Sequence, residues 1–573
     1  MVEKGNRMLL GGSAVVLSLV VLTMVALAWP SGAYAAGEDN EARARQFVAG
    51  HEATVRPLEI EVGRQWWAAS TSGNDEDFRK KQEAETRLDL QLADPAVFAQ
   101  LKEIHQQPIR DRLLARQIEV LYRQYLARQV EPDLLKAINA KSNEVEQAFN
   151  VHRAVVGDKK LTENEVRDVL RHSTDSAQRR AVWEASKGVG PVVAADLKEL
   201  VKLRNQAAHK LGFKYYHAMQ LYLGEQSQEQ VLALFDELDA LTRGPFHAAK
   251  AEIDAQLARQ CGIAVNELRP WHYHDPFFQE SPAVFGGSLD EVYTPVDILR
   301  VCRDFYAGIG LPVDDILRRS DLYEKPGKSP HAFCTDIDRE GDVRVLTNIV
   351  PGREWLSTML HELGHAVYSK NIPRSVPYTL RGSSHALTTE GVAMMYERFT
   401  GRAEWLAAMG VRVPDAEQFN RTTAKLRRNG LLVFSRWCQV MFRFEMALYD
   451  NPEQDLNRLW WELVEKYQEV RRPEGRNAPD YASKIHLVSA PVYYHNYLMG
   501  ELFATQLHRA IATRFVPGQD PASAVYVGNR AVGEFMCERV FSPGATMPWD
   551  ELTRHATGEP LSAKAFAAEL ERN

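Results

Sequence analysis

Between residues 41 and 268 the chain offers little room for anything but helix. Long runs of Leu, Ala, Glu, Gln, Arg and Lys proceed with few Gly or Pro, as in residues 111–129, 161–187 and 194–210. In the last of these Leu197, Leu200, Val201, Leu203 and Ala207 fall on one helical face and read as core. Residues 74–87, dense in charge, read as a solvated helix face or loop. A chain of this texture must pack helix on helix, so the expected class is mainly α. The composition permits a large core, with 45% hydrophobic and 25% charged residues among 573, and excludes a disordered, collagenous or disulfide-stapled chain. A net charge of -7 with no concentrated basic face argues against a nucleic-acid binder.

The first residues differ from the rest. Lys4 and Arg7 precede an uncharged, mostly apolar run over residues 8–29, followed by Pro30, Ser31, Gly32 and the small-x-small triplet Ala33-Tyr34-Ala35. This is the pattern of an export signal cut near Ala35, leaving residues 38–573 as a single unit in the periplasm or outside the cell. The competing reading is an uncleaved membrane anchor over residues 8–29, since about 20 apolar residues span a bilayer. Cys261, Cys302, Cys334, Cys438 and Cys537 are widely spaced and odd in number, and read as small apolar core residues.

Texture changes at Arg269, where Pro270-Trp271-His272-Tyr273-His274-Asp275-Pro276-Phe277-Phe278 opens an irregular segment. After a helix over residues 297–310, residues 330–337 and 343–350 alternate apolar with polar around Arg339-Glu340-Gly341-Asp342, the one hairpin candidate. Helices then resume to the end, interrupted by a polar loop over residues 471–480.

Directly after the hairpin comes His361-Glu362-Leu363-Gly364-His365. On a helix, residues four apart share a face, so both imidazoles can reach one ion while Glu362 reaches a water beside it. Trp355, Leu356, Met359, Leu360, Leu363 and Val367 supply the apolar stripe that makes this an amphipathic helix. A catalytic zinc takes three protein ligands and keeps one position open. The next helix offers Glu390 among apolar neighbours, where a lone carboxylate is costly unless it ligates. Glu397 is the rival, with Arg398 beside it suggesting a solvent-exposed role.

Taken together, His361, Glu362, His365 and Glu390 resemble the gluzincin peptidases of the angiotensin-converting enzyme family. Pro330-His331-Ala332, Trp460-Trp461, Lys466-Tyr467-Gln468, and Lys484-Ile485-His486 followed by Ser489, Pro491, Tyr494 and Tyr497 also match that family's motifs in order. The resemblance implies a mainly α, two-lobed helical zinc peptidase with a deep central cleft and a small β-sheet beside the zinc helix. It implies one Zn²⁺ held by His361, His365 and Glu390, with Glu362 as general base. Tyr497 would donate to the oxyanion with His486 beside it, and His331 and Ala332 would hold the peptide backbone. Lys484 and Tyr494 would bind the substrate's C-terminal carboxylate, so that short peptides lose C-terminal dipeptides. An oligopeptidase of the thimet type, cleaving internally, and a non-catalytic binding protein on this fold are the alternatives.

Four positions depart from the family pattern. No glutamine follows the tryptophan in Trp271-His272-Tyr273-His274, so one expected carboxylate ligand is missing. Asn496 stands where the family places an arginine of its chloride site, so chloride activation is not supported. Met394 stands one turn past Glu390 where an acidic partner for a zinc histidine is expected, and Pro330 replaces a cysteine.

Overall fold

The computed structural model describes residues 31–285 and 289–571. Lys4, Arg7 and the apolar run of residues 8–29 lie outside the described residues. Helix makes up 68% of the structure, with two small two-stranded sheets, in agreement with the mainly α expectation. Among the described residues no helix is long and apolar enough to cross a membrane.

A long helix, Ser31–Ser72, packs with Asp75–Leu92, Pro95–His105 and Arg112–Leu126. Asn74, Asp94 and Asp111 cap the last three, each accepting backbone N–H groups that the first turn of a helix leaves unpaired. These helices bury their own apolar cluster around Phe47, Val55, Leu101, Ile118 and Tyr125, separate from the main core. The charged stretch over residues 74–87 lies in the second of these helices. The expected helix over residues 161–187 is two helices, Glu163–His172 and Ser176–Ser186, because Asp175 caps the second and ends the first.

The sheets are hairpins. β1 (Ala154–Val156) and β2 (Lys159–Leu161) form one that the sequence reading missed, turning at Gly157 with φ 60°. β3 (Phe333–Asp336) pairs antiparallel with β4 (Val343–Leu346) in the register Phe333↔Leu346 to Asp336↔Val343. The expected turn is present, with Asp336 and Asp338 accepting the N–H groups of Arg339, Glu340 and Asp342. The strands are shorter than expected, and His331 and Ala332 precede β3 instead of lying on it.

Three helices meet at the centre of the main core: Arg353–Lys370, which carries the His-Glu motif, Ala386–Glu397, which carries Glu390, and Tyr494–Phe515. Two glycines set how closely they approach. A Cβ at Gly364 would stand 2.8 Å from the Ala393 Cα, and one at Gly391 would stand 2.6 Å from the Phe503 ring and 2.8 Å from the Gly500 carbonyl. The middle helix is thereby pressed between the other two, and the backbone next to Glu390 lies against both. Tyr306 fixes the motif helix further, its hydroxyl donating to the Leu360 carbonyl at 2.6 Å. All five cysteines are unpaired, with Cys302 and Cys438 buried.

Candidate active site

His361 and His365, one turn apart on the motif helix, direct their Nε2 atoms to within 3.2 Å of each other. The Glu390 Oε2 lies 3.6 Å from the first and 4.0 Å from the second. Donors on one tetrahedral zinc stand roughly 3.3 Å apart when each is about 2.05 Å from the metal, so the three atoms fit a single ion. Their outer atoms are held elsewhere. The His361 Nδ1 is 2.8 Å from the Glu397 Oε2, and the His365 Nδ1 is 2.7 Å from the Thr389 hydroxyl. A metal-binding imidazole needs such a partner to fix its ring and tautomer.

This corrects two expectations. Glu397 is more than a solvated charge beside Arg398: its carboxylate, 32% exposed, is the partner of His361. Its neighbour Arg398 is buried against Thr505 and Glu569. The acidic partner missing at Met394 is supplied by Glu397, seven residues past Glu390 and so on the same face of that helix. Replacing Glu397 with alanine is expected to weaken zinc binding about 10- to 100-fold, measured by competition against a chelating indicator.

The electrostatics agree with a cation site. Burial pushes His361 down, but the Glu397 hydrogen bond and the charges of Glu397, Glu362 and Glu390 outweigh it and carry its pKa up to about 9. His365 is lowered to about 3 by burial and by the charge of His361. Two imidazoles and a carboxylate thus enclose room for one positive charge. Glu362, buried beside the Cys334 backbone on β3, is raised to about 7, chiefly by burial. A carboxyl titrating near neutrality suits a group that must take up a proton and give it back.

On the third helix Tyr494, Tyr497 and Gly500 follow one another along one face. A Cβ at Gly500 would lie 3.3 Å from the Glu390 Cβ, which puts this face against the metal ligand. The Tyr497 ring is 6.0 Å from that of Tyr494 and 5.0 Å from that of Tyr493. Burial and the charge of Glu390 raise the Tyr497 pKa, so its hydroxyl stays protonated. The His486 ring is 5.1 Å from Tyr494, with its Nδ1 buried and unpartnered. Burial, then the charge of Lys484, lowers His486 to about 4, so the ring is neutral.

Lys484 is buried, with its ammonium 5.5 Å from the Tyr494 ring centroid and donating to the Gln279 Oε1 at 2.6 Å. A glutamine therefore stands beside Lys484, although none follows Trp271 within Trp271-His272-Tyr273-His274: Gln279 comes later in the irregular segment, held there by a buried carboxylate. Asp275 accepts the backbone N–H groups of Phe277, Gln279 and Glu280, folding the loop back on itself. Among the described residues no carboxylate pairs with Lys484, and burial lowers its pKa to about 8. His331 is exposed, its N–H donating to the Ser329 hydroxyl, and Ala332 is half-buried at the entrance to β3. Asn496 accepts from Gln226 at 2.8 Å, so a neutral bond occupies the position where an arginine was expected.

The sequence profile of peptidase family M3 matches residues 169–572, more than half of the chain, and the profile described as angiotensin-converting enzyme matches residues 38–249. An angiotensin-converting enzyme of Theromyzon tessulatum is 23% identical over 434 residues, covering 70% of this chain and 69% of that one. An angiotensin-converting enzyme-related protein of Drosophila melanogaster is 22% identical over 436 residues, covering 69% and 68%. The enzyme of Mesocricetus auratus is 24% identical over 292 residues, 48% of this chain, and the match spans only 22% of that longer protein. With the His-His-Glu cluster and a family match over residues 169–572 in hand, the chain belongs to peptidase family M3, and it is similar to angiotensin-converting enzymes.

Proposed function

We propose that this protein is a zinc-dependent peptidase that hydrolyses short peptides and releases dipeptides from their C-termini. His361, His365 and Glu390 would hold a zinc ion, which when bound would supply Lewis acidity toward water and the scissile carbonyl. Glu362 takes the proton of the attacking water at its carboxylate and delivers it to the departing amine nitrogen. The Tyr497 hydroxyl would donate to the oxygen that gains negative charge, and neutral His486, packed against Tyr494, would hydrogen-bond the substrate. Backbone groups of His331 and Ala332, leading into β3, would pair with an extended peptide, the His331 N–H exchanging its bond to Ser329 for one to the substrate. Glu397 and Thr389 hold the two imidazoles in orientation throughout.

Lys484 carries the dipeptide reading. A buried ammonium whose hydrogen-bond partner is a neutral amide is expensive, and an anionic ligand removes that cost. A peptide's terminal carboxylate is such a ligand. Export forms part of the same proposal, on the basis of the leader pattern in residues 1–35.

The test is a digest of a peptide ladder with free and amidated C-termini, read by mass. Dipeptide products from free peptides, with amidated ones cut far more slowly, are expected. Equal cutting of both, at internal bonds, would make the protein an oligopeptidase instead.

A further inference from the structure

The helix Tyr494–Phe515 carries Tyr497 in its first turn and a half, the part of a helix least able to hold itself. Its leading N–H groups have no carbonyls four residues back to bond, so the orientation of that turn is decided by what its side chains touch. On the side turned away from Tyr497, the two preceding residues are tied to one outside group. The His495 Nε2 is 2.7 Å from the Gln226 Oε1, and the Gln226 Nε2 donates to the Asn496 Oδ1 at 2.8 Å, with the Met499 sulfur 3.6 Å away. His495 is 1% exposed, Gln226 and Asn496 7% each, so water competes for neither bond.

Gln226 is itself a fixed post. Its N–H donates to the Leu221 carbonyl at 2.8 Å. Its neighbour Glu225 adopts φ 56°, a left-handed conformation rare for such a residue, and is held there from three directions. Arg116 and Arg123, from the helix Arg112–Leu126, both bind its carboxylate, and the Trp549 Nε1 donates to its carbonyl at 2.9 Å. A carboxamide can accept from His495 through its oxygen and donate to Asn496 through its nitrogen at the same time.

We propose that Gln226 is a positioning residue for Tyr497: its carboxamide clamps His495 and Asn496 and so fixes the rotation of the helix turn that presents the Tyr497 hydroxyl. The inference rests on the reading of Tyr497 as the oxyanion donor. It adds a residue far from the motif in sequence, and it ties that donor to the N-terminal helices through Glu225. A displacement of the hydroxyl would act on the transition state more than on peptide binding, because the oxygen it serves gains charge only there.

The test is a double-mutant cycle on the full chain with a free-carboxylate peptide, recording kcat and KM separately, with zinc content and melting temperature as controls. Gln226→Met is expected to lower kcat roughly tenfold with KM within about twofold, and to have no further effect in a Tyr497→Phe background. Equal losses in both backgrounds, or no loss in either, would overturn the inference. Should Gln226→Met fail to fold, Asn496→Leu removes only one of the two bonds and is read in the same cycle with the same expectations. A Tyr497→Phe enzyme as fast as the parent would instead sink the oxyanion assignment itself, an outcome visible before any Gln226 variant is measured.

Discussion

Alanine in place of Glu362 is expected to leave one zinc ion per chain while kcat falls by about 10³-fold or more. The two effects separate because the metal donors and the base, though adjacent in sequence, point to different places. His361, His365 and Glu390 converge their atoms on one another, whereas Glu362 is buried toward β3 beside the Cys334 backbone. Metal analysis of the purified variant together with peptide turnover decides the matter. Loss of zinc in step with activity would show that Glu362 serves the metal site and is not the base.

Methionine in place of Lys484 is expected to raise KM for peptides with a free C-terminus roughly 100-fold, equivalent to about 2.7 kcal/mol, and to leave amidated peptides unchanged. Methionine keeps the length and apolar character of the lysine stem, and loses only the ammonium, which stands 5.1, 5.2 and 5.5 Å from the centroids of the Phe277, Trp437 and Tyr494 rings. The charge is what disappears. A parallel rise for amidated substrates would mean that Lys484 supports the fold and does not receive the carboxylate. The comparison is internal to one variant, which removes any dependence on how much enzyme is active.

The metal donors could be read from the sequence because they rest on local periodicity. His361 and His365 need only a helix to share a face, and Glu390 stood out as an acid among apolar neighbours. Glu397 was open to the same argument, since seven residues is two turns and returns it to the face of Glu390, but its charged neighbour Arg398 concealed this. Arg398 is in fact buried through contacts with Thr505 and Glu569, residues of distant helices that no local pattern exposes. Gln279 was out of reach for a different reason. Its place depends on Asp275 gathering three backbone N–H groups, a fold of the loop that is fixed by tertiary burial and not by residue type. The hairpin β1–β2 carried a Gly157-Asp158 turn, yet three-residue strands are too short to show an alternation.

The separate apolar cluster of the N-terminal helices has one more consequence. Trp66, on the helix Ser31–Ser72, sits with its ring 4.1 Å from that of Phe333, at the start of the strand beside Glu362. These helices bury their own small cluster, yet they are joined to the rest through this ring pair, through Arg116 and Arg123 on Glu225 and through Gln117 on Thr379. Any change at that junction therefore bears directly on the strand that backs the general base.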